Sequence, residues 1–263
     1  MSPDQDTDRR PRIVITVAVA ERSNDPDRAR RKNELYAEAI ERHGAEAIPL
    51  DVRASSDERL EALAAMDGLL LSGGVDIHPA RYGAASAGAK EISRERDALE
   101  AEAWDAAVAR SLPVLGLCRG LQAINVFSGG SLLQHVDGHA GPGWGEGPTR
   151  LHEIRLDADT RLATFLAPLT RVTVNSFHHQ AVRASDLAAG LRPSAWADSV
   201  AGPIIEGIES ADDRFIVGVQ CHPERTDSTP AVFEGLFAAF VAAASLRSPR
   251  DRGSNPAVVA SSI

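Results

Sequence analysis

Cysteine is nearly absent from this chain, with two residues in 263. Two thiols make no disulfide framework, and no cysteine cluster has metal-ligand spacing. Long apolar runs are also missing: none approaches the roughly 20 residues that a membrane-spanning helix needs. Positive charge is in deficit, with 28 Lys and Arg against 37 Asp and Glu and a net charge of -9. That balance repels nucleic acid and anionic membranes, so a small molecule is the expected partner. The opening MSPDQDTDRRPR lacks the apolar stretch of a secretory signal. Residues 1–11 therefore read as a disordered lead-in to a cytoplasmic protein. No internal repeat and no linker between two cores is found. What remains is ordinary for a globular protein, with 43% hydrophobic and 25% charged residues. A chain of this length buries roughly 70–75% of its unfolded surface, enough for a large core.

Hydrophobic periodicity arranges that core. RIVITVAV (12–19) reads as a buried strand, and DRARRKNELYAEAIERHG as a helix closed by Gly44. AEAIPLD, the helix SSDERLEALAAM and DGLLLSGG then complete a βαβαβ order. A long loop through HPARYG leads to the helix RERDALEAEAWDAAVARS, the strand PVLGL and a helix beginning at Cys118. Strands alternating with helices imply a parallel sheet covered on both faces, with ligands beyond the carboxyl ends of the strands. The Gly- and Pro-rich segment 137–150 reads as a loop that covers a site. Short strands follow at HEIRLD, RVTVNSF, LRPSAWA, IIEGIES and RFIVGVQ, spaced for an added antiparallel portion. TPAVFEGLFAAFVAAAS closes the domain as an amphipathic helix, and the Pro- and Gly-broken tail 246–263 reads as disordered. The expected architecture is a three-layer α/β/α sandwich over residues 12–245, with a flavodoxin-like, mostly parallel sheet.

One stretch raises a chemical question. VLGLCRGLQAINVF (114–127) runs from buried strand to helix with Cys118 at the join. A lone cysteine is usually a small buried hydrophobe. Here the tight turn, with Gly116 and Gly120, projects the thiol above the sheet as in a nucleophile elbow. A helix N-terminus stabilises an anion and is expected to lower the thiol pKa, making the thiolate the working nucleophile. Attack on a carbonyl needs a proton donor for the leaving group, a task suited to histidine. Of eight histidines, His222 in GVQCHPE follows a strand, and alternation puts Glu224 on its side of the backbone. The alternative is a solvated strand end. Backbone amides of Arg119, and of Gly73 or Gly74 in the SGGVD turn, are the candidate oxyanion donors. That turn could equally be an ordinary strand end.

The elbow CRGLQ followed downstream by GVQxHPE resembles the class I glutamine amidotransferase-like proteins. LLLSGGVDIHPARYG, VNSFHHQAV and RDALE (96–100) are similar to the γ-glutamyl hydrolase branch, which includes γ-glutamyl-γ-aminobutyrate hydrolases. The resemblance implies Cys118 as nucleophile, His222 as acid/base and Glu224 as its orienting carboxylate. It places the oxyanion amides at Gly74 and Arg119, and Gln122, His178 and Gly73 at the γ-glutamyl substrate, with neither metal nor cofactor. His178 and its neighbour His179 could instead be packed histidines. Glu206 either meets the substrate amino group or is a solvent-facing strand glutamate, and Tyr82 either closes a pocket wall or packs.

Two features depart from that pattern. Cys221 stands where the family usually has an aromatic before HPE, which either widens the pocket or leaves a space that a neighbour fills. The turn ADSVAGP is also longer than the usual Asp-Gly turn. The implied activity is hydrolysis of a γ-glutamyl amide through a thioester, releasing glutamate and an amine. The rivals are a glutaminase subunit serving a synthetase and a catalytically silent γ-glutamyl-binding protein. A homodimer is expected on base rate alone.

Overall fold

Alternation of side chains across one sheet organises the molecule. The computed structural model describes residues 9–246. Nine strands form a single sheet in the order β2-β1-β3-β4-β9-β8-β7-β5-β6. The parallel half consists of β1 (Arg12–Thr16), β2 (Glu46–Leu50), β3 (Gly68–Leu71), β4 (Val114–Leu117) and β9 (Ile216–Val219). From β9 outward the pairing turns antiparallel through β8 (Ile204–Ser210), β7 (Leu191–Ala197), β5 (Leu151–Leu156) and β6 (Arg171–Asn175).

The buried strands serve two cores by turns. Ile13, Ile15, Leu70, Leu115 and Leu117 join Tyr36 of α1 (Pro26–Glu41) and Phe237 of α6 (Glu234–Ser245) on one face. Val14, Leu69, Leu71 and Val114 point the other way. There they meet Leu63 of α2 (Ser56–Ala65), Leu99 and Trp104 of α3 (Arg94–Ala109) and Leu121 and Ile124 of α4 (Arg119–Phe127). The period of 2 along each strand thus feeds both helical layers. Local chemistry sets the helix starts. Asp25 caps α1 before Pro26, and Ser55 with Glu58 forms a reciprocal capping box on α2.

Several boundaries differ from expectation. β1 stops at Thr16, and the chain leaves the sheet for a 3₁₀ turn at Ala20–Arg22. A short helix, α5 (Arg161–Phe165), capped by Thr160, is too brief to show helical periodicity in the sequence. Residues 9–11 are anchored: Arg9 pairs with Asp67 at 2.6 Å, and Arg10 donates to the Gly44 carbonyl at 3.1 Å. This part of the expected lead-in is therefore ordered. Leu246 is the C-cap of α6, so the first residue of the expected tail belongs to the helix end. The remainder of both expected tails lies outside the described residues. Among the described residues no helix is long and apolar enough to cross a membrane.

Candidate active site

The sheet order places Cys118 between two strand ends. β4 pairs with β3 on one side and β9 on the other, so the SGG turn and the His222 segment flank the cysteine. The Cys118 N–H donates to the Val219 carbonyl at 2.8 Å, which fixes the elbow against β9. Cys118 has φ of 53° and ψ of -106°, a conformation that L residues rarely adopt. The strain therefore falls on the cysteine itself. Gly116 and Gly120 serve a different need from the one their spacing implied, namely close approach. A Cβ on Gly116 would lie 2.5 Å from the Gly120 backbone, and one on Gly120 would overlap the Leu71 carbonyl. Because the obstacle is backbone, Gly120→Ala must push α4 off β3. We expect a loss of about 1–3 kcal/mol in chemical denaturation. Turnover should fall by about 100-fold from displacement of the elbow.

Histidine and carboxylate meet, but across a turn and not along a strand: the Arg225 N–H donates to the His222 carbonyl at 3.2 Å, with Pro223 and Glu224 inside the turn. His222 Nδ1 lies 2.7 Å from Glu224 Oε1, with both side chains buried. Since a carboxylate only accepts, Nδ1 carries the proton and Nε2 is left with its lone pair. The Tyr36 hydroxyl lies 3.5 Å from Nδ1, and the Phe177 ring stands edge-on to the imidazole at 5.8 Å. Asn175 grips the backbone of the same residue, accepting from His222 N–H at 2.8 Å and donating to its carbonyl at 2.9 Å. Burial and the Arg225 charge lower the His222 pKa, against the opposing pull of Glu224. For Glu224, burial works upward, but His222 and Arg225 outweigh it and hold the carboxyl below its usual range.

The thiol departs from expectation. Cys118 is 6% exposed, and burial pushes its pKa up to about 12. Arg225 and the Arg119 backbone N–H, which donates to the sulfur, pull it down, while Glu224 and Glu206 push it further up. Burial is the largest of these influences and favours the thiol over the thiolate.

Around the sulfur, Gln220 Nε2 approaches Sγ at 3.5 Å and its Oε1 accepts from Gln122 Nε2 at 3.2 Å. Gln122 also donates to the Gln180 carbonyl. Gly74 has φ of 155°, and a Cβ there would overlap the Arg96 guanidinium. The substrate contact expected at Gly73 is corrected. Its N–H donates to the Tyr36 hydroxyl at 3.1 Å and its carbonyl accepts from Arg96 at 2.8 Å, so its polar groups are committed. Gly73 instead admits the imidazole: a Cβ there would lie 2.6 Å from His222 Cε1.

RDALE acquires a physical reason. Arg119 is 1% exposed and pairs with Asp97 at 2.6 Å and with Glu100. Arg96 pairs with Glu100 at 2.9 Å and donates to Ser72 Oγ at 3.0 Å. This buried charge cluster ties the SGG turn to the base of α4. Cys221 is 1% exposed and belongs to the core cluster that includes Tyr36 and Val219. The residue replacing the aromatic is thus a packing position.

The 137–150 loop reaches the His222 segment. Trp144 Nε1 donates to Asp227 at 3.0 Å, and Arg225 lies over the Trp144 ring at 5.7 Å and the Phe177 ring at 4.4 Å. His179 pairs with Asp76 at 3.0 Å, joining its loop to the segment after β3. Tyr82 borders a depression with Val126, Ser131 and Asp186, at the far end of α4 from the cysteine.

Of the two readings of Glu206, the solvent-facing one is overturned. The residue is 1% exposed and stands among His139, His152 and His178, not in solvent. Burial pushes the His178 pKa down to about 4 and also lowers that of His139. Burial would raise Glu206, but His178, His152 and His139 outweigh it and hold the carboxyl low.

Sequence reasoning missed Gln220, Asn175 and Tyr36 as site residues. Gln220 and Asn175 lie inside the recognised motifs, as polar residues ending apolar strands. Tyr36 comes from α1 with no local signal.

A thiol on a strained strand-to-helix elbow, with a buried His–Glu pair following the adjacent strand at the carboxyl edge of this sheet, defines a glutamine amidotransferase-like α/β protein. The fold is shared with the glutaminase domain of Trypanosoma brucei CTPS solved with bound acivicin. That likeness has TM-score 0.62 at 19% identity and covers 90% of this chain and 95% of that one. The chain belongs to the peptidase C26 family, which it matches over residues 13–224. It is 36% identical to protein NtpR of Enterococcus hirae over 208 residues, covering 75% of this chain and 83% of that protein. It is also 29% identical to the γ-glutamyl-γ-aminobutyrate hydrolase of Escherichia coli O157:H7 over 223 residues, covering 80% and 85%.

Proposed function

We propose that the chain hydrolyses the amide at the γ-carbonyl of a glutamyl group through a thioester on Cys118. The observation that carries this reading is the Cys118 elbow, held at φ of 53° with the Arg119 N–H on its sulfur and the buried His222–Glu224 pair on the segment that follows the neighbouring strand β9. His222 Nε2 takes the thiol proton as the sulfur bonds to the γ-carbon. The amides of Arg119 and Gly74 receive the developing oxyanion. Collapse breaks the C–N bond, and His222 returns the proton to the departing amine. Water then attacks the thioester with His222 again as base, releasing glutamate and restoring the thiol. Glu224 keeps Nδ1 protonated throughout, and Gln122 and His178 bound the γ-glutamyl half.

The test is release of free glutamate from γ-glutamyl amines, γ-glutamyl-γ-aminobutyrate, γ-glutamyl peptides and glutamine. Cleavage of one γ-glutamyl amine far faster than glutamine supports the reading. Cleavage of glutamine alone moves the chain to the glutaminase role, and binding with no glutamate released to the silent one.

The pH profile follows from the two shifts. His222 must be neutral to accept the proton, and its pKa lies below the ordinary 6.5. Activity therefore persists as pH falls through 6.5 and is lost only below it. With the thiol raised to about 12, no alkaline rise near pH 8–9 is expected. A kcat/KM profile that climbs through that range would instead show attack by a preformed thiolate.

A further inference from the structure

The cluster around Glu206 has its own chemistry. Glu206 lies in β8, every residue of which is buried. His139 comes from the 137–150 loop, His152 from β5 and His178 from the segment after β6, with the His139 ring 4.9 Å from His152 and 5.2 Å from His178. Both carboxylate oxygens, both nitrogens of His152, and Nε2 of His139 and of His178 are buried with no hydrogen-bond partner among the described residues. Buried polar groups are rarely left so.

Tautomers sharpen the point. His178 Nδ1 donates to the Gln180 carbonyl at 3.0 Å, so the neutral ring presents the Nε2 lone pair to Glu206 Oε1 at 3.4 Å. His139 Nδ1 faces the Asp137 carbonyl at 3.4 Å, which likewise leaves its Nε2 a lone pair. Lone pairs gathered around a carboxylate repel one another unless a proton or a metal cation stands among them. A carbonyl on the outer nitrogen is also how proteins orient histidines that bind metals, and among the described residues His139 has one while His152 Nδ1 does not.

We propose that His139, His152 and Glu206 bind a divalent transition-metal ion, with Zn²⁺ the best match. One ligand atom from each residue lies within 4.8 Å of the others. His152 Nε2 and Glu206 Oε2 are 3.4 Å apart. That is the edge of a tetrahedron with bonds of about 2.1 Å, the Zn–N and Zn–O length. Two imidazoles and one carboxylate favour zinc, cobalt or nickel over the all-oxygen preference of calcium and magnesium. The cysteine spacing on which a metal was set aside carries no information about such a donor set. The ion would pin the loop bearing His139, and with it Trp144 above Arg225, to β5 and β8.

The test is Zn²⁺ titration of the chelator-treated full chain by calorimetry, paired with Co²⁺ absorption, in wild type and in Cys118→Ala. One equivalent of Zn²⁺ is expected in both. Co²⁺ should give visible ligand-field bands without an ultraviolet thiolate band. Glu206→Gln, close in shape, and His139→Asn, on the loop, should each weaken Zn²⁺ binding at least 100-fold while circular dichroism stays unchanged. Absence of stoichiometric binding would overturn the proposal and leave a proton-sharing His–Glu cluster. So would affinity unchanged in both variants, or a thiolate band that disappears in Cys118→Ala. Should one variant fail to fold, the other decides.

Discussion

Cys118→Ala should release glutamate from no γ-glutamyl compound, with kcat lowered by on the order of 10⁴ or more, while the fold persists. Alanine keeps the β-carbon of cysteine and so inherits the same unfavourable φ of 53°. Cys118→Gly is the informative companion. Glycine adopts that backbone freely, relieving about 1–3 kcal/mol of strain, less about 0.5–1 kcal/mol for its greater freedom when unfolded. The glycine variant should therefore be equally inactive yet melt about 2–4 °C above the alanine variant. Turnover of Cys118→Ala above about 1% of wild type would remove the nucleophile. A glycine variant no more stable than the alanine one would remove the strain.

That pairing of strain with chemistry explains what the sequence could and could not disclose. The parallel half of the sheet was legible because β1, β3 and β4 are short apolar runs between helices with clear starts, such as Ser55 and Glu58 on α2. The added antiparallel strands were also legible, from their short spacing. The five residues of α5 were not, being shorter than two helical turns. At the site, His222 and Glu224 are two residues apart, near enough in sequence for their meeting to be expected, although a turn at 222–225 and not strand alternation brings them together. Tyr36, from α1, joins them only through the packing of α1 on the sheet. The thiol pKa was misjudged because a helix N-terminus is visible in the sequence, whereas burial next to Glu224 and Glu206 is a property of the fold. Glu206 was misplaced for a similar reason: on a strand buried along its whole length, alternation gives no solvent face.

Glu100→Gln should lower stability by about 3–5 kcal/mol, enough to drop Tm by about 10 °C or more. Glu100 is fully buried and accepts from Arg119, from Arg96 Nε at 2.9 Å and from Thr16 Oγ1 at 3.0 Å. Burial works to raise its pKa, but Arg119 and Arg96 hold it below the usual carboxylate range, so the group is ionised. Glutamine keeps the shape and removes the charge. Two guanidiniums then remain in the interior with Asp97 as the one carboxylate still paired to them, at 2.6 Å from Arg119. An uncompensated buried charge, and not the loss of one attraction, makes the effect large. The consequence reaches the site, because the Arg96 guanidinium supports the Gly73 carbonyl and lies against Gly74. Turnover of the folded fraction should fall together with Tm. The double variant Glu100→Leu/Arg119→Met removes one charge of each sign and should lose less stability than Glu100→Gln alone. Denaturation of both variants and of Arg119→Met alone closes the comparison. Equal or greater loss in the double variant would show that the cluster is held by shape, and that its charges do not determine where the elbow stands.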